Sequence, residues 1–123
     1  MTSPLAVLCY EKLLPGSQMV HRLEDLSYRV EVLNDSRKLA ALALRVKPMV
    51  VLVDLDSRDH DVASAISKLR CEAETSHIPV LAFTESEDEA GQEAARTAGA
   101  DMVASGKAIL DQLPSLLDHV LEF

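Results

Sequence analysis

The sequence predicts an α/β fold: a single doubly wound (βα)5 sandwich with a parallel sheet between two helical layers. Three observations predict it. Two apolar, β-rich runs, Met49–Val53 and Ile78–Phe83, are too short for a helix across a core and show no polar alternation, the pattern of strands buried on both faces. Helical periodicities fill the stretches between β-rich runs, and the connections are only a few residues long, so each strand is followed by a crossover helix. The composition agrees. With 123 residues, 48% hydrophobic and 26% charged, residues 1–123 are expected to form one stand-alone domain around one core. Four Gly and two Cys exclude collagen-like and disulfide-dense classes.

Taken in order, Leu5–Leu8 is a weaker apolar run and reads as the first strand. Gln18–Leu26, with Met19, Val20, Leu23 and Leu26 on one stripe, reads as the first helix. Tyr28–Leu33 alternates as a strand near an edge does. Ser36–Val46 places Leu39, Ala40, Ala43 and Val46 at helical steps, with Asp35 or Ser36 available as a cap. After the Met49–Val53 strand, Asp61–Ala73 repeats Val62, Ala65, Ile66 and Leu69. Beyond Ile78–Phe83, Ser86-Glu87-Asp88-Glu89 is a capping box opening a helix that stops at Gly99. Asp101–Ala104 is the weakest strand, and the last helix is expected from about Gln112, with Pro114 in its first turn where a missing N–H is harmless. Five strands of this kind suit the flavodoxin-like order 2-1-3-4-5.

Twelve Lys and Arg against twenty Asp and Glu leave a net charge of −8. That argues against nucleic acid or an anionic membrane as partner and suits a protein with a basic surface. Met1-Thr2-Ser3-Pro4 has no signal-peptide character, and no apolar run reaches the roughly 20 residues that span a bilayer. A cytoplasmic protein is expected. Cys9 and Cys71 lack metal-ligand spacing and fit two thiols in a reducing compartment; the four histidines are scattered without ligand spacing.

In a doubly wound sheet, ligands gather at the carboxyl ends of the strands. Those ends carry Cys9-Tyr10-Glu11, Asp54-Leu55-Asp56, Thr84-Glu85 and Ser105-Gly106-Lys107, a mostly acidic rim with no Gly-rich phosphate-binding motif. Pro48–Leu55, Ile78–Thr84 and Ala98-Gly99-Ala100-Asp101, together with Leu23–Val30, resemble the receiver domain of bacterial two-component response regulators, the CheY-like family, over essentially the whole chain. The resemblance implies that Asp54 corresponds to the phosphate-accepting aspartate and Thr84 to the hydroxyl that contacts the phosphoryl group.

Three positions depart from that family. Where it has two adjacent acids holding Mg2+, this chain has Cys9-Tyr10, with Glu11 one place on. Its strand-5 lysine and following proline correspond to Gly106 and Lys107, and its strand-5 aromatic to Val103. Phosphoryl transfer to a carboxylate brings anion to anion and needs nearby positive charge. The set that could still supply it is Mg2+ held by Glu11, Asp54 and Asp56, with Lys107 reaching back as a phosphate contact.

The expected function is therefore a degenerate receiver, or pseudo-receiver: not an enzyme, acting by binding another signalling protein, with phosphorylation of Asp54 weak or vestigial. Two alternatives stand beside it. One is a working phospho-acceptor in a phosphorelay; the other is a small-molecule binder or enzyme with Cys9, Tyr10 and Asp54 lining its pocket. Glu85, Glu87, Asp88 and Glu89 read either as a solvated helix start or, with Val103, as a docking face for a basic partner. The resemblance adds docking, or homodimerisation, through helix 4, strand 5 and helix 5. Cys9 reads as inert packing or as a redox-sensitive thiol beside the site.

Overall fold

The computed structural model describes residues 4–10, 13–33, 35–55, 62–84 and 89–121. Five strands, β1 (Leu5–Cys9), β2 (Arg29–Leu33), β3 (Val50–Asp54), β4 (Val80–Thr84) and β5 (Met102–Ser105), form one parallel sheet in the order β2-β1-β3-β4-β5. Five helices follow them: α1 (Leu13–Asp25), α2 (Leu39–Val46), α3 (Val62–Cys71), α4 (Glu89–Ala98) and α5 (Gly106–Leu121). The expected architecture and strand order are those observed.

Side-chain alternation along each strand builds two cores. Val7, Cys9, Val51, Val53, Val80 and Ala82 face α2, α3 and α4, while Ala6, Leu8, Val50, Leu52, Leu81 and Phe83 face Met19 and Leu23 of α1 and Ile109, Leu113 and Leu117 of α5. Every residue of β3 and β4 is buried, which is why neither run needed polar alternation. Edge strand β2 is mostly exposed, as its alternation implies.

Several boundaries differ from the sequence expectation. Helix α1 begins at Leu13 rather than Gln18; Pro15 is tolerated there because first-turn amides have no intrahelical partner. Ser36–Lys38 is a 3-10 turn ahead of α2, and the Asp35 carboxylate caps it by accepting the Arg37 N–H at 3.0 Å. Strand β4 begins at Val80, since Ile78 N–H is turned to Thr75 C=O (3.1 Å) and Pro79 has no N–H to give. Helix α3 stops at Cys71, where the buried Thr75 hydroxyl donates to Leu69 C=O at 2.6 Å. Gly99 ends α4 with φ +123°, as expected of its glycine. Ser86, Glu87 and Asp88 of the capping box lie outside the described residues.

The largest correction is α5, which starts at Gly106, six residues before Gln112. Ser105 caps it, its hydroxyl accepting the Ala108 N–H at 3.0 Å. Gln112 is non-helical (φ −119°, ψ 17°), so Pro114 opens the second of two segments joined by a kink. Having no N–H, Pro114 leaves the Leu110 carbonyl without its helical donor; Arg22 of α1 replaces it through Nε (3.3 Å) and Nη2 (3.1 Å).

A second arginine ties the amino end of the sheet. Arg70 of α3 donates to Gly99 C=O (2.7 and 3.0 Å), Ser76 C=O (2.7 Å), Ile78 C=O (2.7 Å) and Asp101 Oδ2 (2.7 Å). The same Asp101 oxygen accepts the Val80 N–H at 2.8 Å.

Candidate functional site

The ends of β1, β3, β4 and β5 converge at the carboxyl edge, and register decides which side chains share a face. Residues paired across parallel strands point the same way. Asp54 pairs with Phe83 and continues the Val50–Leu52 row, placing it on the α1–α5 side with Tyr10. Thr84 pairs with Ser105 and continues the Val80–Ala82 row on the other side. Asp54 is 4% exposed and Thr84 5%. With Thr75, which belongs to the α3 terminus, they are the buried polar or charged side chains among the described residues. The structure thus brings Asp54 and Thr84 to adjacent strand ends. Two backbone bonds fix the start of the loops beside them, Tyr10 N–H to Leu33 C=O and Leu55 N–H to Phe83 C=O, both 2.9 Å.

Cys9 closes β1 but packs, 5% exposed, among Val7, Val53 and the α2–α4 core. That is a packing role, and Cys9 and Cys71 form no disulfide. Tyr10 is half-buried against the α1–α5 core. A hard divalent cation such as Mg2+ wants oxygen ligands in near-octahedral array. A thiol turned into one core and a ring packed on the other do not fit that need, and Asp54 is the carboxylate that the described strand ends contribute. Among the described residues no group of three His, Cys, Asp or Glu could hold a metal ion; Glu11 and Asp56 of the expected set lie outside them.

Gly106, which the sequence resemblance sets at the position of the receiver lysine, is buried and has no side chain. Lys107 is exposed in the first turn of α5, where the helix dipole disfavours a cation. Val103 is half-buried against the α2–α4 core, below Ser105 on the same face. Glu89 is exposed in the first turn of α4, and Glu93, also exposed, pairs with Arg96 at 3.3 Å. Glu85, Glu87 and Asp88 lie outside the described residues.

Sequence reasoning set Ser105 at the end of strand 5 but missed its pairing with Thr84 and its role as the cap of α5. Its signal was present: Ser105 is followed by Ile109, Leu113 and Leu117 at four-residue steps. A groove of about 410 Å³ lies between α2 and α3, lined by Ala40, Leu44, Ser64, Ser67, Lys68, Cys71 and Glu72. It does not include Cys9, Tyr10 or Asp54.

No protein-family model matches the sequence, and no curated protein does. Solved structures do. The receiver domain of a sensor histidine kinase from Pseudomonas aeruginosa, which holds a magnesium ion in its active-site cleft, superposes with a TM-score of 0.88 at 19% identity, over 99% of this chain and 100% of its own. The fold is that of a receiver domain. The chemotaxis protein CheY4 of Vibrio cholerae gives a TM-score of 0.85 at 18% identity, over 98% of this chain and 100% of its own. The receiver domain of a histidine kinase from Syntrophus aciditrophicus gives 0.84 at 18% identity, covering 97% and 90%. At such identities the likeness speaks for the receiver fold, and function rests on the site.

Proposed function

We propose that this receiver-fold chain is a signalling module that works by binding another protein, with phosphoryl transfer to Asp54 weak or vestigial. One observation carries the reading: a buried acid and hydroxyl at adjacent strand ends, beside a thiol, a phenol and a glycine where positive charge would have to be organised. An incoming phosphoryl group adds negative charge to a carboxylate that is 4% exposed, and the transition state is then poorly stabilised. The response is blunted as well. A local charge event acts at a distance by biasing an element with two arrangements, and Val103 has no ring to reorient. The acidic start of α4, with β5 and α5, offers a face for a basic partner. On this reading the chain has no catalytic turnover of its own, and Mg2+ binds weakly or not at all.

The test is incubation with acetyl phosphate and Mg2+, or with beryllofluoride, followed by mass spectrometry of the intact chain and of Asp54→Ala. No adduct is expected. The opposing reading, a working phospho-acceptor, is favoured by the adjacency of Asp54 and Thr84. An adduct present in the parent chain and lost in Asp54→Ala would establish it instead.

A further inference from the structure

The outer edge of β2 carries a recognition pattern that the site does not use. Strand β2 is terminal in the sheet and, among the described residues, pairs with β1 alone. Arg29 N–H donates to Pro4 C=O at 2.8 Å and Leu33 C=O accepts Tyr10 N–H at 2.9 Å. In a parallel ladder both backbone groups of a residue point to the same neighbour, so Arg29, Glu31 and Leu33 serve β1. Val30 and Val32 then turn their N–H and C=O groups outward. Val32 is 48% exposed, one of two large apolar side chains so exposed among the described residues. Tyr28 and Val30, on the same face, are half-buried against the α1–α5 core.

We propose that this edge is a self-association surface, where a second copy adds its own β2 antiparallel and joins the two five-stranded sheets. The register follows from the side chains. Centred on Val30, it sets Val30 against Val30 of the second copy, Tyr28 against Val32, and Arg29 against Glu31, the last two pairs each made twice. Apolar and aromatic side chains meet on one face and opposite charges on the other, both favourable cross-strand pairings. The next register, centred on Glu31, opposes two like charges and is disfavoured. Electrostatics across the contact permit it: the chain carries −8, yet residues 22–38 hold four Lys or Arg against four Asp or Glu. The acidic excess lies elsewhere.

This inference is independent of whether Asp54 is modified. Because β5 is the opposite edge of the sheet, the pair would display two α4–β5–α5 faces about 40 Å apart, from nine strand spacings.

Sedimentation of the purified chain over a series from micromolar to near-millimolar concentration should show a reversible dimer. Val32→Pro removes only an outward N–H, which an edge strand tolerates; it should abolish the dimer and leave the circular dichroism spectrum unchanged. Arg29→Glu and Glu31→Arg, each alone, should weaken self-association about ten-fold, while an equimolar mixture of the two should associate as tightly as the parent. That mixing result holds the proposal to account even if Val32→Pro fails to fold. A chain that stays monomeric throughout the series overturns it. So does a dimer indifferent to all three substitutions, which would place the contact on another face, such as α4–β5–α5.

Discussion

At the amino end of the sheet the Arg70 guanidinium is held by three carbonyls and the Asp101 carboxylate at 2.7–3.0 Å. At the carboxyl end Asp54 is 4% exposed, with a buried glycine and an exposed lysine opening the helix after β5. The two ends use charge oppositely. One commits a cation to fixing where α3, α4 and β5 meet. The other buries an acid at a strand end and leaves the lysine that follows β5 exposed. What differs is geometry: Arg70 projects from a helix that ends where the orphan carbonyls are, whereas Lys107 sits two positions past the end of β5, beyond the Ser105 cap and inside α5.

The largest effect should come from breaking the amino end. Arg70→Ala leaves the Ile78, Ser76 and Gly99 carbonyls without that donor and should lower unfolding free energy by about 3 kcal/mol, read from urea denaturation. Gly99→Ala places a Cβ 2.6 Å from Arg70 Cγ at φ +123° and should lower it by about 2–3 kcal/mol. Because the clash is with Arg70 itself, the double variant should lose less than the two single losses combined.

Next is the attempt to add an oxygen ligand and a cation at the carboxyl end. Tyr10→Asp with Gly106→Lys supplies an oxygen ligand after β1 and an ammonium after β5, on either side of the β3 end that carries Asp54. The pair should raise acetyl-phosphate modification of Asp54 about 100-fold, the scale of one well-placed electrostatic group, measured by intact mass against time. No gain would mean that the barrier lies elsewhere than in missing charge.

A smaller effect tests whether Arg22, like Arg70, serves a backbone carbonyl. Arg22→Ala should cost about 1 kcal/mol, and less in a Pro114→Ala background, where residue 114 regains the N–H for Leu110 C=O. The smallest concerns Tyr28, at the amino end of β2. Burial, and then the Asp118 carboxylate, push its phenol above the ordinary value. A folded value above the unfolded one means stability is whole below the unfolded value and is lost as pH rises through the folded one. Urea midpoints should therefore fall above about pH 10, and Tyr28→Phe should remove that part of the fall.

Much of the fold was legible because β3 and β4 are buried on both faces and their sequences are continuously apolar. The helix stripe named the core of α3, Val62, Ala65, Ile66 and Leu69, correctly; that of α2 found Leu39 and Ala43 but missed buried Leu42 and included Ala40 and Val46, which are only partly buried. Helix ends were less legible. Gly106-Lys107 carries no apolar signal, so the cap on Ser105 and the first half of α5 were lost behind the obvious Pro114. The strand-end positions of Asp54 and Thr84 were legible because each closes an apolar strand. The orientation of Cys9 was not, since a residue's face depends on register that a five-residue run does not reveal.

The order β2-β1-β3-β4-β5 has a consequence for how the chain is made. Ribosomal synthesis delivers β1 and β2 first, and their pairing leaves one flank of β1 open until β3 arrives to occupy it. Over that interval Val7 and Cys9 await the apolar layer that Val51 and Val53 complete. The nascent β1-α1-β2 segment should therefore remain a marginal two-stranded fragment, and commitment to the native topology should coincide with emergence of the third strand.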